Sequence, residues 1–150
     1  MPEPAELDAI DQQLISHLEA NARISNKELA ELVGVAPSTC HARVRALVKH
    51  GVITGFHAEV DPSALGRSLE AMISIRLHAY ARSTLRGFED FLLGLPATRQ
   101  VFFLSGERDF LVHVAVRSSD ELRDLVADSL SSRSEVAATN TSIVFSHATR

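Results

Sequence analysis

Cysteine is almost missing from this sequence, since Cys40 is the only one in 150 residues. One cysteine cannot form an internal disulfide, and it excludes a zinc site built on a pair of cysteines. The seven histidines fall at no metal-ligand spacing, so we expect neither a metal nor a cofactor. Low cysteine content is typical of a reducing compartment, and we expect this protein in the cytoplasm.

Long apolar runs and catalytic signatures are missing as well. No stretch approaches the roughly 20 apolar residues that a helix needs to cross a bilayer. The first residues, MPEPAELDAID, lack the basic start and apolar core of a signal peptide, so we expect neither a membrane partner nor secretion. No serine lies in a Gly-x-Ser-x-Gly elbow, and no glycine-rich phosphate loop is present, so we expect no catalytic residues.

Negative charge is missing from one window of an otherwise acidic chain. The whole chain has a formal net charge of -4, and residues 1–31 hold 7 carboxylates against 2 cations. Residues 32–58 contain no carboxylate but carry Arg43, Arg45, Lys49 and three histidines. This window can therefore contact phosphate locally although the chain as a whole is not basic.

Periodicity and capping residues predict three helices in the first 60 residues. Asp8 can cap the first helix, whose apolar positions are Ile10, Leu14, Ile15 and Leu18. Ser25 and Glu28 form a capping box for a short second helix. Gly34 then permits a left-handed turn. The predicted buried residues of the second helix are Leu29, Leu32 and Val33.

The third helix is predicted to run from Pro37 to about His50. Pro37 suits the first helical position, and Gly51 suits the position just past the end. Ala36 occupies the N-cap, where a serine would be worth about 1 kcal/mol more. The predicted core stripe of this helix is Cys40, Val44, Leu47 and Val48.

Two helices joined by a glycine turn, the second with a basic outer face, are typical of a helix-turn-helix DNA-binding unit. Residues near the start of the second helix reach base edges in the major groove, which predicts as readers Ser38, Thr39, His41 and Ala42. Arg45 can pair with guanine or with phosphate, whereas Arg43 and Lys49 are predicted phosphate contacts. A solvated charged face is the alternative interpretation.

The second half follows a different pattern. The residues after Gly51 alternate through Val60 and predict a wing or a connecting strand. Beyond residue 66 the order is strand, helix, strand, strand, helix, strand. The first strand alternates its apolar residues Ala71, Ile73, Ile75 and Leu77, and the last three strands are predicted at 100–104, 110–116 and 136–146. This order describes a ferredoxin-like sandwich with its helices on one face. We expect a second subunit to cover the other face through Met72, Phe102, Phe103 and Leu111.

These patterns predict an α+β chain of two domains. A winged helix-turn-helix domain occupies residues 1–52, and a connecting strand and linker occupy residues 53–67. Residues 68–150 form a ferredoxin-like α/β sandwich of βαββαβ order, predicted to mediate oligomerisation through its uncovered sheet face.

Specific residue strings support a family resemblance over nearly the whole chain. In the first half they are Leu7-Asp8 with Asp11, Arg23-Ile24-Ser25, Glu28-Leu29-Ala30, Val33-Gly34, Pro37-Ser38-Thr39-Cys40, Arg43-Val44, Leu47 and Gly51-Val52-Ile53-Thr54-Gly55-Phe56. In the second half they are Gly106-x-x-Asp109-Phe110-Leu111 and Thr141-Ser142-Ile143-Val144. The chain resembles the Lrp/AsnC (leucine-responsive, feast/famine) transcriptional regulators.

The resemblance implies a sequence-specific regulator that binds double-stranded DNA. It also implies a RAM-type second domain and a homodimer that assembles further, often to an octamer, with amino-acid effectors bound between dimers. The effector residues it implies are Gly106, Asp109 and Thr141. Asp109 could accept from the ligand ammonium, and N–H groups around Gly106 could donate to its carboxylate. The alternative is structural: Gly106 allows a turn, Asp109 pairs with Arg108 or a loop N–H, and Thr141 is an ordinary strand residue.

Two other functions fit parts of the sequence. Ferredoxin-like sandwiches also serve as small-ligand binding modules or enzymes, in which case the N-terminal helices would be a dimerisation arm. An architectural octamer that compacts DNA with little sequence preference would result if binding rests on Arg43 and Lys49 rather than on base readers.

Overall fold

The computed structural model describes residues 6–148, apart from the side chain of Arg82. Residues 1–5, on which part of the signal-peptide expectation rests, and residues 149–150 lie outside the described part. The chain divides into two compact units between Glu59 and Val60. Among the described residues, no helix is both long and apolar enough to cross a membrane.

Three helices build the first unit: α1 (Ala9–Ala20), α2 (Asn26–Val33) and α3 (Pro37–Lys49). Each helix begins where its capping residues predict. The Asp8 carboxylate accepts from the Asp11 N–H at 2.8 Å, and Ser25 Oγ accepts from the Glu28 N–H at 3.1 Å. Gly34 ends α2 with a φ of 76°, the left-handed conformation that glycine adopts without strain. The predicted helix-turn-helix is therefore confirmed.

The core of the first unit is small. Its fully buried residues are Leu14, Leu29, Ala30, Cys40 and Leu47. Two residues predicted for this core lie outside it, because Leu32 is 54% exposed and Val48 is 44% exposed. A three-helix unit buries only the positions where helices meet, and Ala30 rather than Leu32 takes the inward position on α2.

The connecting strand predicted after α3 is not formed in the described chain. Main-chain N–H groups of Val52 and Ile53 donate to the Leu47 carbonyl at 2.9 and 3.2 Å, which closes the end of the helix. Residues 54–60 then continue without helix or strand. Alternating apolar residues are not sufficient for a strand, since a strand also needs a neighbour for its N–H and C=O groups.

Four strands and two helices build the second unit: β1 (Leu69–Leu77), α4 (Leu85–Gly94), β2 (Thr98–Phe103), β3 (Phe110–Val116), α5 (Ser119–Asp124) and β4 (Val136–Val144). A 3-10 segment, Ala79–Thr84, precedes α4, and a π-helical segment, Leu125–Ser131, continues α5. The sheet order is β2-β3-β1-β4, and every neighbouring pair is antiparallel. This is the predicted ferredoxin-like arrangement, although β2 begins at Thr98 and β4 already ends at Val144.

Both helices pack on one face of this sheet. The alternating β1 residues Ala71, Ile73 and Ile75 are completely buried, and each pairs across the ladder with a buried residue of β3. Phe88 of α4 lies on Phe110 with ring centroids 5.4 Å apart. The predicted alternation of β1 is thus confirmed, because a strand with one covered face buries every second residue.

The opposite face, here called the open face, carries the even-numbered residues of β1. Met72 lies there, as do Leu111 and Phe102, which face each other between β3 and β2. The prediction that Phe103 also lies on this face is wrong. Phe103 pairs with Phe110 and its ring centroid lies 5.3 Å from that of Phe110, on the helix side. Consecutive residues of a strand cannot share a face.

Candidate DNA-binding surface and effector cleft

The outer face of α3 presents six of the seven predicted DNA contacts to solvent. These exposed residues are Ser38, Thr39, His41, Ala42, Arg45 and Lys49. The start of the helix is tied to α2, because Asn26 Nδ2 donates to the Pro37 carbonyl at 2.9 Å. Ala36 provides no side-chain cap, as the sequence predicts. α3 is therefore positioned by the neighbouring helix rather than by its own N-cap.

Arg43 differs from the other cations of α3. Its Nη1 donates to Asp8 Oδ2 at 2.7 Å and to Asp11 Oδ1 at 2.9 Å. The Asp11 N–H, followed by the Arg43 guanidinium, lowers the pKa of the Asp8 carboxyl, and both carboxylates raise the pKa of Arg43. Arg43 thus joins α3 to the capped start of α1.

Arg45 and Lys49 keep their charges available. Within residues 6–148, no carboxylate forms an ion pair with either side chain. The sequence from 32 to 58 contains no carboxylate, and the two from α1 that reach α3 contact Arg43. An unpaired, exposed cation is what a phosphate or a guanine edge requires.

Sequence reasoning missed the cluster of Asp8, Asp11 and Arg43. The partners are 35 and 32 residues apart, so no local pattern relates them. The one available signal was the abundance of carboxylates before residue 32 beside a window that has none. That signal does not show which cation the carboxylates meet.

An open cleft of about 440 Å³ lies in the second unit, at the ends of β1 and β4 and under the loop between β2 and β3. We call it the effector cleft, and its lining residues are Ser74, Arg76, Gly106, Glu107, Arg108, Ala138, Thr139 and Asn140. Gly106 has a φ of 115°, a conformation that favours glycine. Of the three predicted effector residues, Gly106 is the one that lines this cleft.

Asp109 lies beside the cleft but is only 7% exposed. Its Oδ2 accepts from the Leu77 main-chain N–H at 2.7 Å, and its own N–H donates to the Ile75 carbonyl at 2.9 Å. These bonds fasten the loop to β1, and the amide from which Asp109 accepts belongs to this strand rather than to the loop. Thr141 pairs with Ile73 and therefore points to the helix face, away from the open face.

A short hydrogen-bonded chain crosses the floor of the effector cleft. Arg108 Nη1 donates to Ser74 Oγ, and Ser74 Oγ donates to the Asn140 carbonyl at 3.2 Å. Ser74 is only 6% exposed, so a buried hydroxyl orients the guanidinium. The sequence identified none of these residues as a site, because strand pairing and the fold of the loop bring them together.

Comparisons with known proteins agree with both units. Residues 7–54 match a family model described as winged helix-turn-helix DNA-binding, and residues 70–150 match one described as the Lrp/AsnC ligand binding domain. The transcriptional regulator AldR of Mycobacterium tuberculosis is 46% identical over 144 residues, covering 96% of this chain and 80% of that protein. The leucine-responsive regulatory protein of Rhizobium meliloti is 35% identical over 136 residues, covering 91% and 87%.

A solved structure is similar over almost the same length. The crystal structure of a transcriptional regulator from Neisseria meningitidis in complex with L-Met has a TM-score of 0.88 and 26% identity, covering 96% of this chain and 93% of that one. The names of these relatives point to a DNA-binding regulator rather than to an enzyme. The ligand-binding model alone covers more than half of the residues, and the relatives extend the match through the helix-turn-helix. The chain therefore belongs to the Lrp/AsnC family of transcriptional regulators.

Proposed function

We propose that α3 enters the major groove and that Ser38, Thr39, His41 and Ala42 contact base edges there. The observation that carries this proposal is the exposed face of α3, which has no carboxylate of its own and whose Arg45 and Lys49 form no ion pair with the described carboxylates. Arg45 contacts guanine or phosphate, and Lys49 contacts phosphate. The DNA-binding function belongs to residues 1–52.

Arg43 lies on α3 among the predicted phosphate contacts, but in this proposal it does not contact phosphate. The carboxylates of Asp8 and Asp11 already neutralise it at 2.7 and 2.9 Å. Breaking these bonds to reach a phosphate would exchange two charge-assisted contacts for one. We assign Arg43 to positioning α3 on α1, with direct phosphate contact left to Arg45 and Lys49.

The regulator acts as a homodimer that assembles further, for example to an octamer, through residues 68–150. The apolar part of the open face, Met72, Leu111 and Phe102, supports dimerisation because such a sheet face needs cover. A two-fold arrangement would present two copies of α3 to half-sites about one helical turn apart. A DNA-binding role places the protein in the cytoplasm.

The effector is an amino acid that binds in the effector cleft. The Neisseria relative in complex with L-Met supports this class of ligand. Main-chain N–H groups near Gly106 can donate to a carboxylate, and Asp109 holds their loop on β1. Effector binding changes operator affinity only as far as it favours one assembly over another.

Selection of random duplex DNA by the purified full chain at near-physiological salt tests this function. We expect enrichment of a near-palindromic motif, whose affinity then changes when amino acids are added. If the protein retains DNA but enriches no motif, the architectural function explains the result better. If it retains no DNA, the small-ligand binding module does. Arg45→Ala should lose the motif while gel filtration shows the wild-type assembly.

A further inference from the structure

The effector cleft carries more positive charge than one amino-acid carboxylate needs. Its lining includes two arginines, Arg76 and Arg108, and one carboxylate, Glu107. Within residues 6–148, no carboxylate forms an ion pair with either arginine. Two cations that outnumber the carboxylate in a shared cleft raise the affinity of that cleft for anions.

The fold fixes where the guanidinium groups of Arg76 and Arg108 start, one on β1 and one on the loop between β2 and β3. Ser74 and Arg76 are two residues apart on β1, so they share the open face with Cα atoms about 6.6–7 Å apart. Arg108 reaches this face from the loop and hydrogen-bonds to the buried Ser74 hydroxyl, which in turn donates to the Asn140 carbonyl. Arg108 is thus oriented before any ligand arrives, and its remaining N–H groups can form the paired bonds that carboxylates accept.

The cleft offers little to an apolar side chain. Among its eight lining residues, Ala138 is the only one with a purely apolar side chain. A leucine or methionine side chain would lose contact with water here without gaining apolar contacts. A second charged group on the ligand would instead meet the arginine that the α-carboxylate leaves unused.

We propose that the effector of this cleft is an acidic α-amino acid. Its α-carboxylate binds Arg108, its ammonium binds Glu107, and its side-chain carboxylate binds Arg76. This inference rests on the proposed effector function and names the class of ligand that the function uses. Ser74 acts as a positioning residue, because it orients Arg108 without needing to touch the ligand.

Calorimetric titration of the full chain with matched pairs of ligands tests the inference. L-aspartate and L-glutamate are compared with their neutral amides L-asparagine and L-glutamine, and with L-alanine and L-leucine. We expect the acids to bind about tenfold or more tightly than the amides, since a hydrogen bond to a charged group is worth about 1.5–3 kcal/mol. Arg76→Gln should abolish this preference, and Arg108→Gln should weaken binding of every amino acid.

A matched control separates the site from general charge. Arg86 is exposed on α4 and does not line the effector cleft, so Arg86→Gln removes the same charge and should bind like the wild type. Amides or apolar amino acids that bind as tightly as the acids, unaffected by Arg76→Gln, would overturn the acidic ligand and leave the effector function standing. A chain that binds none of the six, and whose affinity for the selected duplex none of them changes, would overturn both.

Discussion

Arg43 and Arg45 are two residues apart on α3. We expect loss of the Arg43 charge to affect stability, and loss of the Arg45 charge to affect DNA binding. Arg45→Gln removes an exposed cation that no carboxylate of residues 6–148 pairs with, whereas Arg43→Gln removes one held at 2.7 and 2.9 Å by Asp8 and Asp11. Only the unpaired cation can displace condensed counterions from DNA. The salt dependence of binding should therefore distinguish the two variants.

The expected magnitude follows from the number of phosphates neutralised. Each one contributes a slope of about -0.9 in log K against log salt, so two half-sites contribute about -1.8. A rise from 50 to 200 mM salt should therefore weaken wild-type binding about twelvefold more than it weakens Arg45→Gln. Arg43→Gln should keep the wild-type slope and lower the melting temperature of the first unit instead.

Fluorescence anisotropy with the selected duplex, over this salt range, measures the slopes, and circular dichroism measures the melting. Arg43→Gln also leaves two carboxylates without their cation near DNA, which would repel phosphate. Combining it with Asp8→Asn restores the net charge that Asp8, Asp11 and Arg43 have together, and so removes this effect. If the double variant loses as much slope as Arg45→Gln, Arg43 contacts phosphate and our assignment is wrong.

Three further predictions concern the stability of the first unit. Ala36→Ser supplies the missing cap of α3 and should stabilise the unit by about 1 kcal/mol in thermal melts, and an unchanged melt would mean that the hydroxyl does not reach the helix N–H groups. Leu14→Ala empties a completely buried position and should cost about 2–5 kcal/mol in urea unfolding, and a loss below 1 kcal/mol would contradict the close packing seen there. The pKa of Asp8 is lowered in the folded state, so its contribution to stability is complete above the ordinary value of 3.8 and disappears as the pH falls through the lower folded value. Asp8→Asn should therefore lose less stability than the wild type on acidification below pH 3.8. If the melting temperatures of both proteins fall equally as the pH is lowered, Asp8 does not contribute to this pH dependence.

Local features were read correctly because they depend on neighbours in the chain. Asp8 and Ser25 cap their helices through N–H groups three residues ahead, and Gly34 turns the chain by its own backbone conformation. The alternation of β1 predicted its buried face for the same reason. Two-residue and three- to four-residue periods follow directly from strand and helix geometry.

Errors arose where a partner elsewhere decides the outcome. Leu32 and Val48 fit the apolar stripes of their helices, yet both side chains stay exposed in the described structure. Residues 54–60 follow a strand-like pattern, yet the described structure forms neither helix nor strand there. Phe103 lies next to Phe102 in the sequence but on the opposite face of the sheet, where it meets Phe110.

The sequence by itself determined the three N-terminal helices, the order of elements in the second half and the basic face of α3, since each follows from local spacing. It also identified the family, because its motifs extend over both halves. Only the tertiary structure decided that Arg43, and not Arg45, pairs with the described carboxylates at the start of α1, and that Ser74 orients Arg108 beside Arg76. These contacts join residues more than 30 positions apart, and whether a charge is available or already paired depends on which distant groups the fold brings within hydrogen-bonding distance.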